Sequence, residues 1–350
     1  MDAAIEDGVH VLSISLGATN HLVFKDDLIA IAAFSAIQKG IFVSCSASNS
    51  GPYNTSLVNE APWILTVGAS TIDRRFTTSV LLGNKKIMNG QSLYQPKDAD
   101  YNIHPLIYPN GNENSALCTP RSLDNIDVKG KIVLCDAGEF GNYYKGKTVK
   151  EAGGVGVIIA NDIVDGESIA AEPHVLLASF VGYKEGVEIK SYLNSTSSPV
   201  AAIICGGTVL GHKSDPEMAS FSSRGPSFAS PGILKPDITG PGVDILAAWP
   251  ESIEIRPGLS KQKYNVLRGT SMSCPHLAGV VALLKSTHPD WSPATIKSAI
   301  MTTASHVNRN GSLSVDERGL PADVFTIGSG HVYPQKADEP GLVFDVQPEN

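Results

Sequence analysis

One stretch of sequence, from Gly269 to Ala304, constrains the fold more than any other. Apolar residues recur in it at spacings of three and four, which predicts a helix with one buried face. The positions that define this face are Leu277, Val280, Val281, Leu283 and Leu284. Ser271 stands on the first turn, after a flexible, polar approach formed by Gly269 and Thr270. Free backbone N–H groups and the positive end of the helix dipole favour negative charge there, which suits a nucleophile that passes through an oxyanion. The other interpretation of Ser271 is a helix cap.

The amino-terminal part of the chain alternates between apolar runs and a helical segment. VLSISLG (11–17) is a nearly continuous apolar run, typical of a strand in a buried parallel sheet. A helix is expected over 26–39, with Gly40 as its end, and further strands over 41–48 and 63–71. This order predicts an α/β doubly wound layer, a parallel sheet flanked by helices. Later in the chain, Ser292 and Pro293 predict the N-cap and first residue of another helix.

The alternation of apolar strands and helices ends near Asp73. From about Leu82 to Gly206, short strands alternate with loops rich in Gly, Asn and Pro. Sequence of the first type resumes at MASFSSRGP (218–226). This pattern predicts an inserted, mainly-β domain. No catalytic motif stands out within it, so we expect it to be a structural or binding module.

Composition narrows the class of protein. With 350 residues and 42% hydrophobic content, the chain has enough material for about two domains. Its net charge is −8 and it has no block of lysine or arginine, which argues against nucleic acid as a partner. No apolar run approaches the roughly 18 residues of a membrane span, and MDAAIEDGVH is not a signal peptide. No cofactor is expected.

Five cysteines and three sequons bear on the compartment. Cys45 and Cys274 lie in apolar segments and are expected to be buried thiols. Cys118 and Cys135 flank a loop and a strand, and form a candidate disulfide if the compartment is oxidising. Three asparagines begin N-x-S/T triplets and are glycosylation candidates, in mild support of a secreted protein: Asn54, Asn194 and Asn310. Neither CxxC nor calcium-loop spacing is present, so no metal is predicted.

The segment GTSMSCPH followed, after one residue, by AG closely resembles the nucleophile segment of subtilisin-like serine proteases. The resemblance implies a serine endopeptidase that acts on protein or peptide substrates, with Ser271 as the nucleophile. It also implies that Asn49, in SASNSGP, is the oxyanion-hole amide. Ser15, Leu16 and Gly17 match the family segment that pairs with the substrate backbone as an added strand.

Within the insertion, DVKGKIVLC, AGGVGVIIAN and HVLLASFV resemble the protease-associated (PA) domain of plant subtilases, a small β-sandwich-like lid module. The resemblance therefore implies a subtilisin-like catalytic domain in two parts, 1–81 and 208–350, around a PA domain at 82–207. It further implies an extracellular, secreted protein. The PA domain and an open sheet edge are candidate surfaces for self-association.

Three positions depart from the family pattern. Ala18 follows Gly17 where a second glycine is common, and is expected to crowd the substrate groove. Ser48 stands before Asn49, where glycine is usual, and is expected to shift the amide or narrow the substrate cleft. Gly240 stands in KPDITGPG where alanine is usual, which is a milder change.

The largest departure concerns the base. Catalysis by Ser271 needs a histidine and an orienting aspartate, and the family carries them in D-[ST]-G and HGTH motifs. Neither motif occurs in residues 1–350. The resemblance places both upstream of Met1, so we expect a chain truncated at its amino and carboxy ends, without the family's fibronectin-like domain. VLSISLG is then expected to be an unpaired sheet edge, and this chain alone to be poorly soluble and inactive.

Three alternatives follow from the residues. His276 is five positions along the helix from Ser271 on a different face, and we expect a packed helix histidine rather than the base. A catalytically inactive subtilase relative would bind peptides through Ser15–Gly17 or partners through the insertion. An α/β-hydrolase esterase would use Asp323 and His331, but its G-x-S-x-G motif requires glycine where Ser273 stands.

Overall fold

The computed structural model describes residues 1–18, 22–98, 101–138, 140–257, 259 and 261–346. Its strands, in chain order, are β1 (Val11–Ile14), β2 (Phe42–Ser46), β3 (Leu65–Ser70), β4 (Arg74–Leu82), β5 (Ile87–Gln91), β6 (His104–Ile107), β7 (Ile132–Asp136), β8 (Gly156–Ala160), β9 (Leu177–Val181), β10 (Val200–Leu210), β11 (Ile238–Pro241), β12 (Ile245–Ala248) and β13 (Tyr264–Leu267). Its helices are α1 (Asp2–Glu6), α2 (Leu28–Gln38), α3 (Glu113–Ala116), α4 (Asn142–Glu151), α5 (Tyr183–Ser195), α6 (Thr270–Thr287), α7 (Pro293–Thr302), α8 (Val324–Ile327) and α9 (Pro334–Asp338).

The chain forms two compact units. The first unit comprises Met1–Ile72, Lys213–Ile245 and Leu267–Asn350, and the second comprises Asp73–His212 and Leu246–Val266. The second unit is wider than the insertion expected from sequence at 82–207. Strands β4 and β10 extend its main segment to Asp73–His212, because they pair from Leu82 opposite Ala201 to Arg74 opposite Leu210. The separate segment Leu246–Val266 was not expected in this unit.

The first unit is built on a parallel sheet with the order β1-β2-β3-β11. Every residue of β2, β3 and β11 is buried, as their apolar runs predict for a sheet covered on both faces. The expected strands at 41–48 and 63–71 are confirmed with slightly tighter bounds. The predicted α/β layer is therefore confirmed.

Helices cover the two faces of this sheet, and alternate strand residues serve each side. Phe42, Leu65 and Val67 pack with α6, while Val43 and Cys45 pack with α2. Helix α2 begins where its sequence predicts, since the Asp27 side chain accepts from the N–H groups of Ile29 and Ala30. Ser292 and Pro293 begin α7 as N-cap and first residue, as expected.

Strand β1 lies at the edge of the sheet. In the described part of the chain it pairs only with β2, in parallel register from Val11 opposite Phe42. The predicted edge position is thus confirmed for these residues. Among all the residues that the structure describes, no helix is long and apolar enough to cross a bilayer.

The second unit is a closed barrel with the order β10-β4-β5-β9-β8-β7-β6, rather than the sandwich-like module expected. Strands β6 to β9 pair in parallel, while β10, β4 and β5 pair antiparallel. Successive side chains of each strand face opposite sides of the barrel wall, so this unit has two clusters of buried residues. Leu134 and Ile158 pack in one cluster, and Val133 and Val157 pack with α4 in the other. Strands β12 and β13 form a separate two-stranded sheet.

Candidate active site

Ser271 is the second residue of α6, as the sequence predicts. The helix begins after Gly269, whose φ is 149°, and the N–H groups of Met272 and Ser273 both donate to the Gly269 carbonyl. Ser271 is half-buried, and no described residue is hydrogen-bonded to its hydroxyl. The hydroxyl therefore lies beside the positive end of the α6 dipole without being used as a cap.

Asn49 lies against the start of the same helix. Its Oδ1 accepts from the backbone N–H of Thr270 at 2.9 Å and from the Thr270 hydroxyl at 3.1 Å. Because a backbone N–H can only donate, Oδ1 must face Thr270, which leaves the Asn49 NH₂ group to point elsewhere. The carboxamide is thus fixed one residue away from Ser271, although 221 positions of sequence separate it from Thr270.

The sequence suggested that Thr270 belongs to a flexible approach to the helix, and the structure shows that it does not. Its side chain is fully buried and holds Asn49 through two donors. No local pattern around Thr270 indicates this role, because its partner, Asn49, lies 221 positions away in another loop. Thr270 is therefore a positioning residue for the Asn49 carboxamide.

The segment Ser15–Gly17, which follows β1, reaches the same place. The Ser15 hydroxyl donates to the Ser271 carbonyl at 2.8 Å. The Leu16 side chain is 73% exposed, and a Cβ on Gly17 would lie 2.4 Å from Val58 Cγ2. Gly17 is therefore required by a close approach. The structure brings the predicted peptide-binding segment, the candidate nucleophile and the candidate oxyanion amide together.

Asn59 is a site residue that the sequence analysis missed. Its Nδ2 donates to the carbonyls of Leu16 and Ser46, both at 2.9 Å, and its side chain is buried. It thereby links the segment after β1 to the end of β2. An asparagine in a polar loop has the composition of a turn residue, so no local signal marked it.

The structure shows the surroundings of two of the three departures from the family pattern, Ser48 and Gly240. Ser48 has φ 88°, the left-handed region that favours glycine. A Cβ on Gly240 would lie 2.3 Å from Leu277 Cδ2, so glycine allows α6 to pack closely against β11.

The sequence predicted that Leu283 lies on the buried face of α6, but this residue is 68% exposed. The buried face of α6 runs through Leu277, Val281 and Leu284 instead.

The other candidate acids and bases lie elsewhere. His276 is exposed on α6 rather than packed. Asp323 caps α8, accepting from the N–H groups of Phe325 and Thr326. The His331 Nδ1 lies 3.1 Å from the Val332 carbonyl, and burial lowers the pKa of this histidine to about 4. None of the three is hydrogen-bonded to Ser271 in the described structure, and Asp323 is used as a helix cap rather than as a partner of His331, so the geometry does not support the α/β-hydrolase interpretation.

The remaining predicted residues are the cysteines, the glycosylation candidates and possible metal ligands. Cys118 and Cys135 are joined by a disulfide in the second unit, with Cα atoms 5.7 Å apart. Cys45 and Cys274 are buried free thiols, as expected. The sequon asparagines Asn54, Asn194 and Asn310 are all exposed. Among the residues with described positions, no group of three or more His, Cys, Asp or Glu side chains is placed to hold a metal.

Comparison with known proteins defines the family. The Subtilase family model matches residues 1–330. The chain is 47% identical over 355 residues to the Arabidopsis thaliana subtilisin-like protease SBT1.2, covering 99% of this chain and 45% of that protein. It is 46% identical to SBT1.6 and to SBT1.4 from the same plant, again over 99% of this chain and 46% and 45% of theirs. The chain therefore belongs to the subtilase family.

The chain spans about half the length of the curated relatives it matches. Among solved structures, the psychrophilic subtilisin-like protease Apa1 from the Antarctic psychrotroph Pseudoalteromonas sp. AS-11 matches with a TM-score of 0.40 and 15% identity. The match covers 96% of this chain and 71% of that one.

Proposed function

We propose that this chain carries the nucleophile and oxyanion half of a subtilisin-like serine endopeptidase site. Ser271 would attack the scissile carbonyl and form an acyl-enzyme, releasing the amine product before water hydrolyses the ester. The observation that supports this most directly is the fixed orientation of Asn49 beside Thr270, which frees its NH₂ group to donate to the developing oxyanion. The peptide would pair with the backbone of Ser15 and Gly17, because Leu16 gives its carbonyl to Asn59.

We propose further that the base and its orienting carboxylate come from outside residues 1–350. Support comes from the absence of D-[ST]-G and HGTH motifs in the sequence and from the lack of a described side chain bonded to the Ser271 hydroxyl. Without a base the hydroxyl stays protonated. A loss of kcat on the order of 10⁶ is then expected, a magnitude taken from subtilisin itself, which belongs to this family.

We also propose an identity for the second unit and a compartment for the whole protein. The second unit is proposed to be a PA domain, and the whole protein to be extracellular. The disulfide Cys118–Cys135 supports an oxidising compartment, and the three exposed sequons agree with it.

Covalent labelling with a fluorophosphonate tests the proposal. The 350-residue chain is compared with the same chain supplied with the part of SBT1.2 that lies outside the match. We expect labelling at Ser271 in the completed protein only. Ser271→Ala abolishes it, while the control Ser273→Ala, which removes a buried hydroxyl bonded to the Gly68 carbonyl, leaves it in place.

Two outcomes would contradict the proposal. Labelling that survives Ser271→Ala would assign the nucleophile elsewhere. A completed protein that binds peptides without any labelling would favour the inactive, peptide-binding relative instead.

A further inference from the structure

Pro275 removes one hydrogen bond from the first turns of α6. In an α-helix the N–H of each residue donates to the carbonyl four positions earlier, and proline has no N–H. Pro275 lies inside α6, and the residue four positions earlier is Ser271. The carbonyl of the candidate nucleophile therefore lacks its usual partner within the helix.

The hydroxyl of Ser15 supplies a donor to that carbonyl, at 2.8 Å. The neighbouring Ser13 hydroxyl lies 3.5 Å from Cys274 Sγ, one turn further along α6. Alternate residues of an extended segment face the same side, so Ser13 and Ser15 both face the start of α6. The segment that continues β1 thus places the Ser15 hydroxyl next to the Ser271 carbonyl, which has no donor within the helix because of Pro275.

We propose that Ser15 is a positioning residue, whose hydroxyl anchors the peptide-binding segment to the main chain of the nucleophile. This inference rests on the proposed function, in which Ser271 is the nucleophile and Ser15–Gly17 holds the peptide. Asn59 holds the next carbonyl of the same segment, that of Leu16, at 2.9 Å. The segment is therefore bonded on one side to Ser271 and on the other to Asn59. The Ser15 side chain acts through Ser271 rather than on the substrate.

A double-mutant cycle on the completed protein, followed by thermal unfolding, tests the bond without requiring catalysis. Ser15→Ala leaves the Ser271 carbonyl without a donor and is expected to lower the Tm of the first unit by about 2–4 °C. Pro275→Ala restores an N–H four positions after Ser271, so Ser15→Ala in that background is expected to lower Tm by less than about half as much. Ser13→Ala, the matched control on the same face, should show no such dependence on residue 275.

The rate of fluorophosphonate labelling in the completed protein tests positioning. Ser15→Ala is expected to slow labelling of Ser271 about tenfold, since misplacing a nucleophile by a fraction of an ångström is costly. Ser15→Thr, which keeps the hydroxyl, should recover most of the rate. The double variant Ser15→Ala/Pro275→Ala should stay slow, because the helical bond that it restores does not tie the segment to Ser271. Ser13→Ala should label at the wild-type rate.

Each outcome decides the proposal. Equal Tm losses in the two backgrounds would show that Ser15 and Pro275 do not share the Ser271 carbonyl. A coupled Tm with an unchanged labelling rate would make the bond structural only. If wild-type completed protein is not labelled at all, the proposed function fails and the positioning role fails with it, while the Tm cycle still reports on the bond itself.

Discussion

The backbone at Ser48 shows how the site is held by single residues. Ser48 joins β2 to Asn49 with φ 88°, a region that disfavours L side chains by about 1–2 kcal/mol. Its carbonyl accepts from the N–H of Ser223, which helps to keep this conformation. The strain is located directly before the proposed oxyanion amide.

We predict that Ser48→Gly stabilises the first unit. Glycine removes the steric strain but adds entropy to the unfolded chain, so the net gain in unfolding free energy is expected to be about 0.5–1 kcal/mol. Urea unfolding measures it. Ser50→Gly is the matched control, because Ser50 does not have a positive φ and should gain nothing. Equal effects at the two positions would contradict the role of φ.

A substitution at Asn49 separates the two uses of its carboxamide. Asn49→Asp keeps the acceptor that Thr270 needs but removes the NH₂ donor. We predict a small change in Tm and a fall in kcat of the completed protein by at least about 10²–10³. Asn49→Ala should lose both anchoring and rate. Full activity in Asn49→Asp would exclude this amide from the oxyanion hole.

At the scale of elements, a buried charge network joins β3, the entry to β11 and α7. Lys235 is fully buried, and its Nζ donates to Asp237 at 2.6 Å and to the Thr66 hydroxyl at 2.8 Å. Asp237 also accepts from the Thr66 N–H and pairs with Lys297 of α7 at 3.0 Å. The two lysines lower the pKa of Asp237 against the opposing effect of its burial.

The network predicts unequal costs for removing its members. Asp237→Ala would leave two ammonium groups close together and is expected to cost about 3–5 kcal/mol. Lys235→Met should cost less, because Asp237 keeps Lys297 and the Thr66 N–H. Chemical denaturation of the two variants measures the difference. A larger loss for Lys235→Met would show that Asp237 is not the centre of the network.

The sequence predicts the structure correctly where the signal is local, such as an apolar run or a helix cap. It does not predict residues whose role depends on a contact with a distant part of the chain. The strands around Val43 and Val67 were predictable because burial on both faces produces continuous apolar runs. Helix starts at Asp27 and Ser292 were predictable because a cap acts within three residues. Thr270, Asn59 and Lys235 were not, since each depends on a contact with another part of the chain. Resemblance supplied Asn49, and only coordinates supplied what holds it.

At the scale of the whole molecule, each unit contains its own core and its own buried lysine. In the second unit, Lys145 is fully buried within the polar helix α4 and donates to the Leu117 carbonyl at 3.0 Å. Its Nζ also lies 5.8 Å from the Phe140 ring centroid. Desolvation lowers the pKa of Lys145 to about 8, and burial lowers that of Lys235 in the first unit to about 8 as well.

These lysines predict that stability rises in alkaline solution. Below about pH 8 both folded and unfolded chains carry the proton, and the fold bears the cost of a buried charge. Between about pH 8 and the ordinary lysine pKa near 10.4, the unfolded chain binds more protons. Each lysine then adds stability with a slope of at most about 1.4 kcal/mol per pH unit. The gain stops above that range.

Lys145→Met removes this dependence from the second unit alone. Cys205, the free cysteine of this unit and only partly buried, is replaced by serine in every chain to limit thiol exchange. Calorimetry at pH 7 and pH 9.5 should then show the advantage of Lys145→Met over wild type shrinking as pH rises. The transition of the second unit is identified as the one that Cys118→Ser/Cys135→Ser lowers. Because Lys145 belongs to that unit's core, the transition of the first unit should keep its wild-type pH dependence, which Lys235 sets. A pH-independent difference between Lys145→Met and wild type would mean that Lys145 keeps an ordinary pKa in the folded chain.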